Sequence, residues 1–249
     1  MIKKFLSFFI IMLNSLIYAY NPILTHIIKR EILQASYICK LSYRNLKLEN
    51  LNECPILCDY DKYDSIYDDK IYILHNKNKI NICFRGSYTF KDFLINFNIC
   101  PKKYKDDIRI HAGYLNFYLN IKDTIKNRIY EIIQKHNISD IIFTGHSLGG
   151  SIATIASYDS TNYINNINIK CITFGAPKVG NKNFIDEYNK KILYSYRIVN
   201  NNDLIEHSPP IFIFKHIHEP IYLRSDNLRY PHNMSNYITN LQLFFDPNK

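Results

Sequence analysis

The run Ile141-Ile142-Phe143-Thr144-Gly145-His146-Ser147-Leu148-Gly149-Gly150 constrains this chain more than any other stretch. Its three apolar residues predict a short buried strand, the next few a sharp turn, and residues 148–157, rich in small side chains, a helix. Strand, turn and helix in that order place Ser147 at the apex. Glycines on both sides of the serine answer a bend so tight that a side chain would strike the neighbouring element. A G-x-S-x-G match alone is weak, and the strand before it and the helix after it are what give it weight. Glycine is otherwise used sparingly, at Gly86, Gly113, Gly145, Gly149, Gly150, Gly175 and Gly180 only. Each falls in a short block, and those blocks are where chemistry is sought.

The chain of 249 residues is 47% hydrophobic, enough to bury a substantial core, and no composition shift or linker divides it. One domain is expected over residues 20–249. Lys3 and Lys4 precede an apolar run over residues 5–19 that ends at Ala19, the layout of a secretory signal peptide. That run is shorter than the ~20 residues of a spanning helix, and an uncleaved membrane anchor is the alternative. The formal charge of +9, two units of it on Lys3 and Lys4, favours anionic surfaces such as anionic lipid without naming a partner. Lys and Arg are not interleaved with aromatics in any block, so nucleic-acid binding is not expected. Six cysteines, all beyond the leader, make disulfides an expectation in a secreted chain, with their pairing open. No C-x-x-C spacing argues for zinc. Asn137-Ile138-Ser139 and Asn233-Met234-Ser235 are glycosylation acceptors if the chain is secreted.

Asn21-Pro22 opens an amphipathic helix to about Ser42, followed by an irregular surface excursion over residues 44–69. Residues 71–74 and 80–84 read as a hairpin, and the second run ends in Arg85-Gly86-Ser87, a loop able to turn backbone N–H groups toward an anion. Phe90, Phe93, Leu94 and Phe97 share a helical face, either core or a flap over an apolar site. His111-Ala112-Gly113-Tyr114 leads into a helix to about His136, with Leu115, Tyr118, Leu119, Ile125, Ile129 and Ile132 inward. Strand 169–174, helix 184–191, strand 194–199, an extended stretch over 211–223 and an amphipathic tail from Met234 complete the order. Strands alternating with helices predict an α/β fold with a mostly parallel sheet covered on both faces.

A serine hydroxyl is a weak nucleophile until a base removes its proton, and that base needs a carboxylate to hold its tautomer. On such a sheet these partners follow the serine, acid first and histidine second, on loops at the carboxyl ends of later strands. Asp203, after a strand and the turn Asn200-Asn201-Asn202, meets that requirement, with Asp226 as the alternative. Among the histidines, His146 sits before the serine, His207 lies close to Asp203, and His216 and His218 share a strand face. His232, in a loop before the last helix, has the best position, with His218 still open.

The blocks Phe84-Arg85-Gly86-Ser87, His111-Ala112-Gly113-Tyr114, residues 144–150, residues 174–181, residues 197–209 and residues 232–237 together resemble the class 3 (fungal-type) lipase family of the α/β-hydrolase superfamily. The resemblance runs over roughly residues 71–237. It implies an α/β-hydrolase fold and a carboxylic ester hydrolase with Ser147 as nucleophile, Asp203 as acid and His232 as base. It places the oxyanion donors on the backbone N–H groups of Ser87 and Leu148, and a lid over residues 88–97. Two departures bear on interfacial activation and acyl preference: Phe93 stands where the family commonly has a Trp, and Leu204 follows Asp203 where a Pro is frequent. The expectation is a secreted lipase acting on lipid esters of triacylglycerol type, with no cofactor, no metal and no obligate protein partner. A phospholipase or another carboxylesterase on the same triad, and a catalytically silent lipid-binding module, are the alternatives.

Overall fold

Along the strands the apolar residues alternate between two cores, as a period of two requires when both faces of a sheet are covered. Ile71 and Ile73, Ile80 and Ile82, and Ile141 and Phe143 point into one core, while Tyr72 and Leu74, Cys83, and Ile142 point into the other. Each fully buried aliphatic side chain of this kind contributes roughly 1.5–3 kcal/mol. The computed structural model describes residues 22–44, 46, 54–86, 100–210, 212–224 and 229–246. Three groups of expectations therefore lie outside the described residues: the leader over 1–19, the lid and its Phe90, Phe93, Leu94 and Phe97, and Ser87 and Asp226.

Among the described residues the central sheet has seven strands, β1 (Lys62–Ile66), β2 (Ile71–His75), β3 (Lys79–Phe84), β6 (Asp140–His146), β7 (Asn168–Phe174), β8 (Tyr194–Asn200) and β9 (Pro220–Leu223), in that spatial order. The first three are antiparallel, and β3 through β9 run parallel. A separate antiparallel pair, β4 (Pro101–Lys105) and β5 (Ile108–His111), leads into helix α2 (Ala112–Lys135). Helices α3 (Leu148–Ser160) and α4 (Lys182–Lys191) join α2 on one face, where Ile129, Ile152 and Phe184 fill the larger core. On the other face α1 (Pro22–Ser42) and α5 (Met234–Phe245) pack Ile32, Ile38, Tyr237 and Leu241 against Ile142, Ile172 and Phe174.

Several expectations change. The supposed excursion over 44–69 contains β1, a polar edge strand whose Lys62, Asp64 and Ser65 hide its pairing with β2. Leu119 is 43% exposed on α2, and Ile121 takes the inward place. Among the described residues of the stretch 211–223, only Pro220–Leu223 forms a strand. No disulfide joins the six cysteines, and Cys39 and Cys83 approach only to 3.9 Å between sulfurs, so the disulfide expectation is not met.

Parallel registry aligns the carboxyl ends of the strands. Phe84 lies opposite Gly145, His146 opposite Phe174, and Phe174 opposite Ile198. The loops at Gly86, Ser147, Gly175 and Asp203 therefore open on one edge of the sheet, where open α/β sheets place their sites.

Candidate active site

Ser147 follows β6 with φ 58° and ψ −130°, a left-handed backbone that a non-glycine residue adopts only when its surroundings impose it. The surroundings are the two glycines. A Cβ on Gly145 would stand 2.2 Å from the carbonyl carbon of Gly149, and one on Gly149 would stand 2.0 Å from the carbonyl oxygen of Phe84. Helix and strands thus close to backbone contact, and the serine is pushed to the crest between them. Its N–H donates to the carbonyl of Phe174 at 2.9 Å, which fixes the turn to β7. Its Oγ is buried and has no hydrogen-bond partner among the described residues. Leu148 is the first residue of α3, so its N–H belongs to the set a helix start leaves without an intrahelical acceptor.

Asp203 follows β8 and starts the 3₁₀ turn Leu204–His207. Its Oδ1 accepts from the N–H of Ile205 at 3.0 Å, and its Oδ2 accepts from the Tyr237 hydroxyl at 2.6 Å and from Nδ1 of His232 at 2.7 Å. The carboxylate is fully buried, so these bonds replace water as its solvation. Room for it is made by Gly175, at φ +53°, where a Cβ would come within 2.5 Å of Oδ2. With Nδ1 engaged by the acid, the other ring nitrogen of His232 is the one that can exchange a proton.

His146 places that ring relative to the elbow. It is 5% exposed, its ring centroid lies 4.4 Å from that of His232, and its Nδ1 lies 2.8 Å from the hydroxyl of Tyr43. Burial, and then the nearby His232 ring, holds the His146 imidazole well below the ordinary histidine range.

The structure brings Asp203 and His232 together and sets His232 against the residue preceding Ser147. The other histidines have different partners. His218 Nε2 meets the carbonyl of Ile192 at 2.9 Å, His216 Nε2 meets that of Glu206 at 2.6 Å, and His207 is exposed. Tyr43 and Tyr237 are site residues that sequence reasoning missed; nothing in the spacing of a lone tyrosine points to a carboxylate or an imidazole far along the chain. Among the described residues no group of three or more His, Cys, Asp or Glu side chains is placed to hold a metal ion.

Comparison with known proteins agrees with this architecture. The lipase of Rhizopus niveus is 29% identical over 150 residues, covering 57% of this chain and 38% of that protein. Secreted mono- and diacylglycerol lipase 1 of Fusarium solani is 27% identical over 143 residues, covering 56% and 42%. The chain spans about two fifths of the length of these curated relatives. The solved structure of lipase II from Rhizopus niveus superposes with a TM-score of 0.69 at 24% identity, over 79% of this chain and 81% of that one, which shows the shared α/β-hydrolase fold. The family profile described as Lipase (class 3) matches residues 81–213, from β3 to beyond Asp203. More than half of the sequence, carrying the elbow and Asp203, is accounted for in this way, and the chain belongs to the class 3 lipase family.

Proposed function

We propose that this protein is a serine hydrolase of lipid carboxylic esters, with Ser147 as nucleophile, His232 as general base and acid, and Asp203 as the carboxylate that orients it. The observation that carries the reading is the 2.7 Å contact between Asp203 Oδ2 and His232 Nδ1, made beside a serine in a left-handed elbow. Ser147 Oγ attacks the ester carbonyl carbon while His232 takes its proton. The imidazolium, steadied by Asp203, returns that proton to the departing alcohol oxygen, leaving an acyl-serine. Water then attacks the acyl carbon, His232 accepting its proton and returning it to Ser147 as the acid leaves. The N–H of Leu148 faces the developing oxyanion, and the family resemblance supplies the amide of Ser87 as its second donor.

Triacylglycerol-type esters are the proposed substrates, supported by the family and by the acylglycerol lipase among the relatives. We also propose that residues 1–19 are a leader removed on secretion and that residues 20–249 form the hydrolase domain. Among the described residues no helix is long and apolar enough to cross a membrane.

A fluorophosphonate probe tests the chemistry. Labelling of the wild-type protein that disappears in Ser147→Ala is expected, and labelling that survives this substitution overturns the assignment. Release of fatty acid from tributyrin and from a phosphatidylcholine vesicle then separates acylglycerol from phospholipid preference. Sequencing the mature amino terminus decides the leader, since Met1 retained on a membrane-bound product rules out cleavage.

A further inference from the structure

We propose that Tyr43 is a positioning residue of this site, its hydroxyl tying the turn at Gly86 to His146 and, through the His146 ring, setting the ring of His232. The proposal rests on the hydrolase reading and extends it to a residue about a hundred positions before the elbow.

Tyr43 stands in the turn that follows α1, where its N–H still reaches back to the carbonyl of Lys40. From there the phenol reaches across to the carboxyl ends of the parallel strands. Its oxygen lies 2.8 Å from Nδ1 of His146, with the two rings edge to face at a centroid distance of 5.7 Å. The backbone of Gly86 packs directly against the same oxygen. The approach is so close that a Cβ on Gly86 would sit 2.1 Å from it, and only 2.7 Å from the carbonyl oxygen of His146. One hydroxyl therefore joins three segments that are remote in sequence: the end of α1, the loop after β3 and the elbow.

In the proposed arrangement the phenol of Tyr43 donates its proton to Nδ1 of His146, a bond of 2.8 Å. Burial raises the phenol above its ordinary range and lowers the imidazole below its own, so both groups are neutral. His146 then carries its proton on Nε2 and has one preferred ring orientation. That orientation matters because its ring lies 4.4 Å from His232, at an interplanar angle of 36°, and also touches the edge of Tyr237 at 5.8 Å. The Asp203 bond fixes one nitrogen of His232; the face of His146 limits rotation about that bond. Packing alone does not require the oxygen, since phenylalanine would fill the same space. It would leave the His146 Nδ1 without this partner.

Small errors in the placement of a base are costly, on the order of a hundredfold for 1 Å. Loss of one support among several is expected to cost about tenfold in kcat, with KM within about twofold. The test uses Tyr43→Phe, His146→Phe and the double variant of the full protein. It measures p-nitrophenyl butyrate kinetics, the rate of fluorophosphonate inactivation, and the imidazole nitrogen spectra of ¹⁵N-histidine protein. Tyr43→Phe should lower kcat and the inactivation rate together, and should add less than about twofold in the His146→Phe background. In the wild type, Nδ1 of His146 should appear as an unprotonated acceptor and lose that shift in Tyr43→Phe.

Wild-type kcat in Tyr43→Phe, or the full tenfold loss again on top of His146→Phe, overturns the proposal. A protonated Nδ1 of His146 in the wild type also overturns it, whether or not the variant folds. A wild-type protein that neither labels nor hydrolyses ester defeats the hydrolase reading instead, and the nitrogen spectra then decide the Tyr43 to His146 bond separately.

Discussion

The hydroxyl of Tyr237 and the imidazole of His232 share one oxygen of Asp203, at 2.6 Å and 2.7 Å respectively. Tyr237 in turn accepts from the N–H of Asn200 at 3.2 Å, so Asp203 is tied to the end of β8 as well as to α5. A hydrogen bond to a charged acceptor contributes about 1.5–3 kcal/mol. Tyr237→Phe is therefore expected to lower kcat by roughly tenfold with little change in KM, and to lower the melting temperature by several degrees. Ester kinetics and calorimetry on the variant check this. A variant with wild-type kcat would show that Asp203 needs no support beyond His232 and the Ile205 amide.

Gly175 supplies a sharper test of the same carboxylate. At φ +53° its added Cβ would lie 2.5 Å from Asp203 Oδ2, 2.7 Å from the Tyr237 oxygen and 3.1 Å from His232 Nδ1. None of the three can retreat without breaking its bond to the others, and the backbone itself disfavours a side chain there. Gly175→Ala should reduce kcat by about a hundredfold or more. Near wild-type turnover in that variant would mean that the Asp203 and His232 pair is not what the reaction depends on.

How far the sequence carried depends on the kind of contact. Strands β2, β3, β6, β7 and β8 and helices α1, α3, α4 and α5 were legible because both faces of the sheet are apolar and each element repeats at its own period. The elbow was legible because glycine is scarce and backbone contact forces it. Strand β1 was not, since an edge strand pairs through its backbone and shows polar side chains. Strand β4, Pro101-Lys102-Lys103-Tyr104-Lys105, whose register with β5 shifts between Lys103 and Lys105, also lacks apolar alternation. Tyr43 and Tyr237 act through single hydroxyls on partners 103 and 34 positions away, and no local pattern encodes that.

Buried histidines make stability depend on pH. Burial lowers His111 to about 4 and His216, helped by the charge of Arg197, to about 3, and it holds His146 well below its ordinary value. In the unfolded chain each titrates near 6.5. Between these values the unfolded state binds more protons than the folded one, so stability is complete above about 6.5 and falls as pH drops toward the folded values. The melting temperature should therefore decline between pH 6.5 and 5, above the range where most carboxylates titrate. His216→Gln should flatten that decline, and a melting temperature constant across the window would contradict it.

The cysteine thiols predict a pattern of reactivity. Cys39, Cys83 and Cys171 are at most 1% exposed, and burial raises the thiols of Cys83 and Cys171 above their ordinary range. Cys58 and Cys100 are exposed. A thiolate is the reacting species, so a native sample treated with an aromatic disulfide reagent should release dye rapidly from Cys58 and Cys100 and leave the three buried thiols unmodified until denaturant is added. Mass mapping that finds Cys39 joined to Cys83 in the native protein would contradict the thiol assignment.

The loop that carries Asp203 is also anchored by a buried ion pair. Arg197 Nη1, on β8, donates to Glu206 Oε2 at 3.0 Å, both side chains being 6% exposed. The Tyr222 hydroxyl donates to the other carboxylate oxygen at 3.2 Å, and His216 meets the backbone carbonyl of Glu206. Glu206 lies three residues after the acid in the 3₁₀ turn, so this pair closes the loop onto the sheet. Removing one partner strands a charge in a dry site, which costs about 3–5 kcal/mol, whereas replacing both with apolar side chains of similar volume is often neutral. Glu206→Ala should thus lower unfolding free energy by that amount and weaken turnover through Asp203. The double variant Arg197→Met, Glu206→Leu should recover most of the stability. Denaturant titration distinguishes the cases: a single variant within about 1 kcal/mol of wild type would mean that water reaches Arg197 and that the acid loop is held by Asp203 and its own hydrogen bonds.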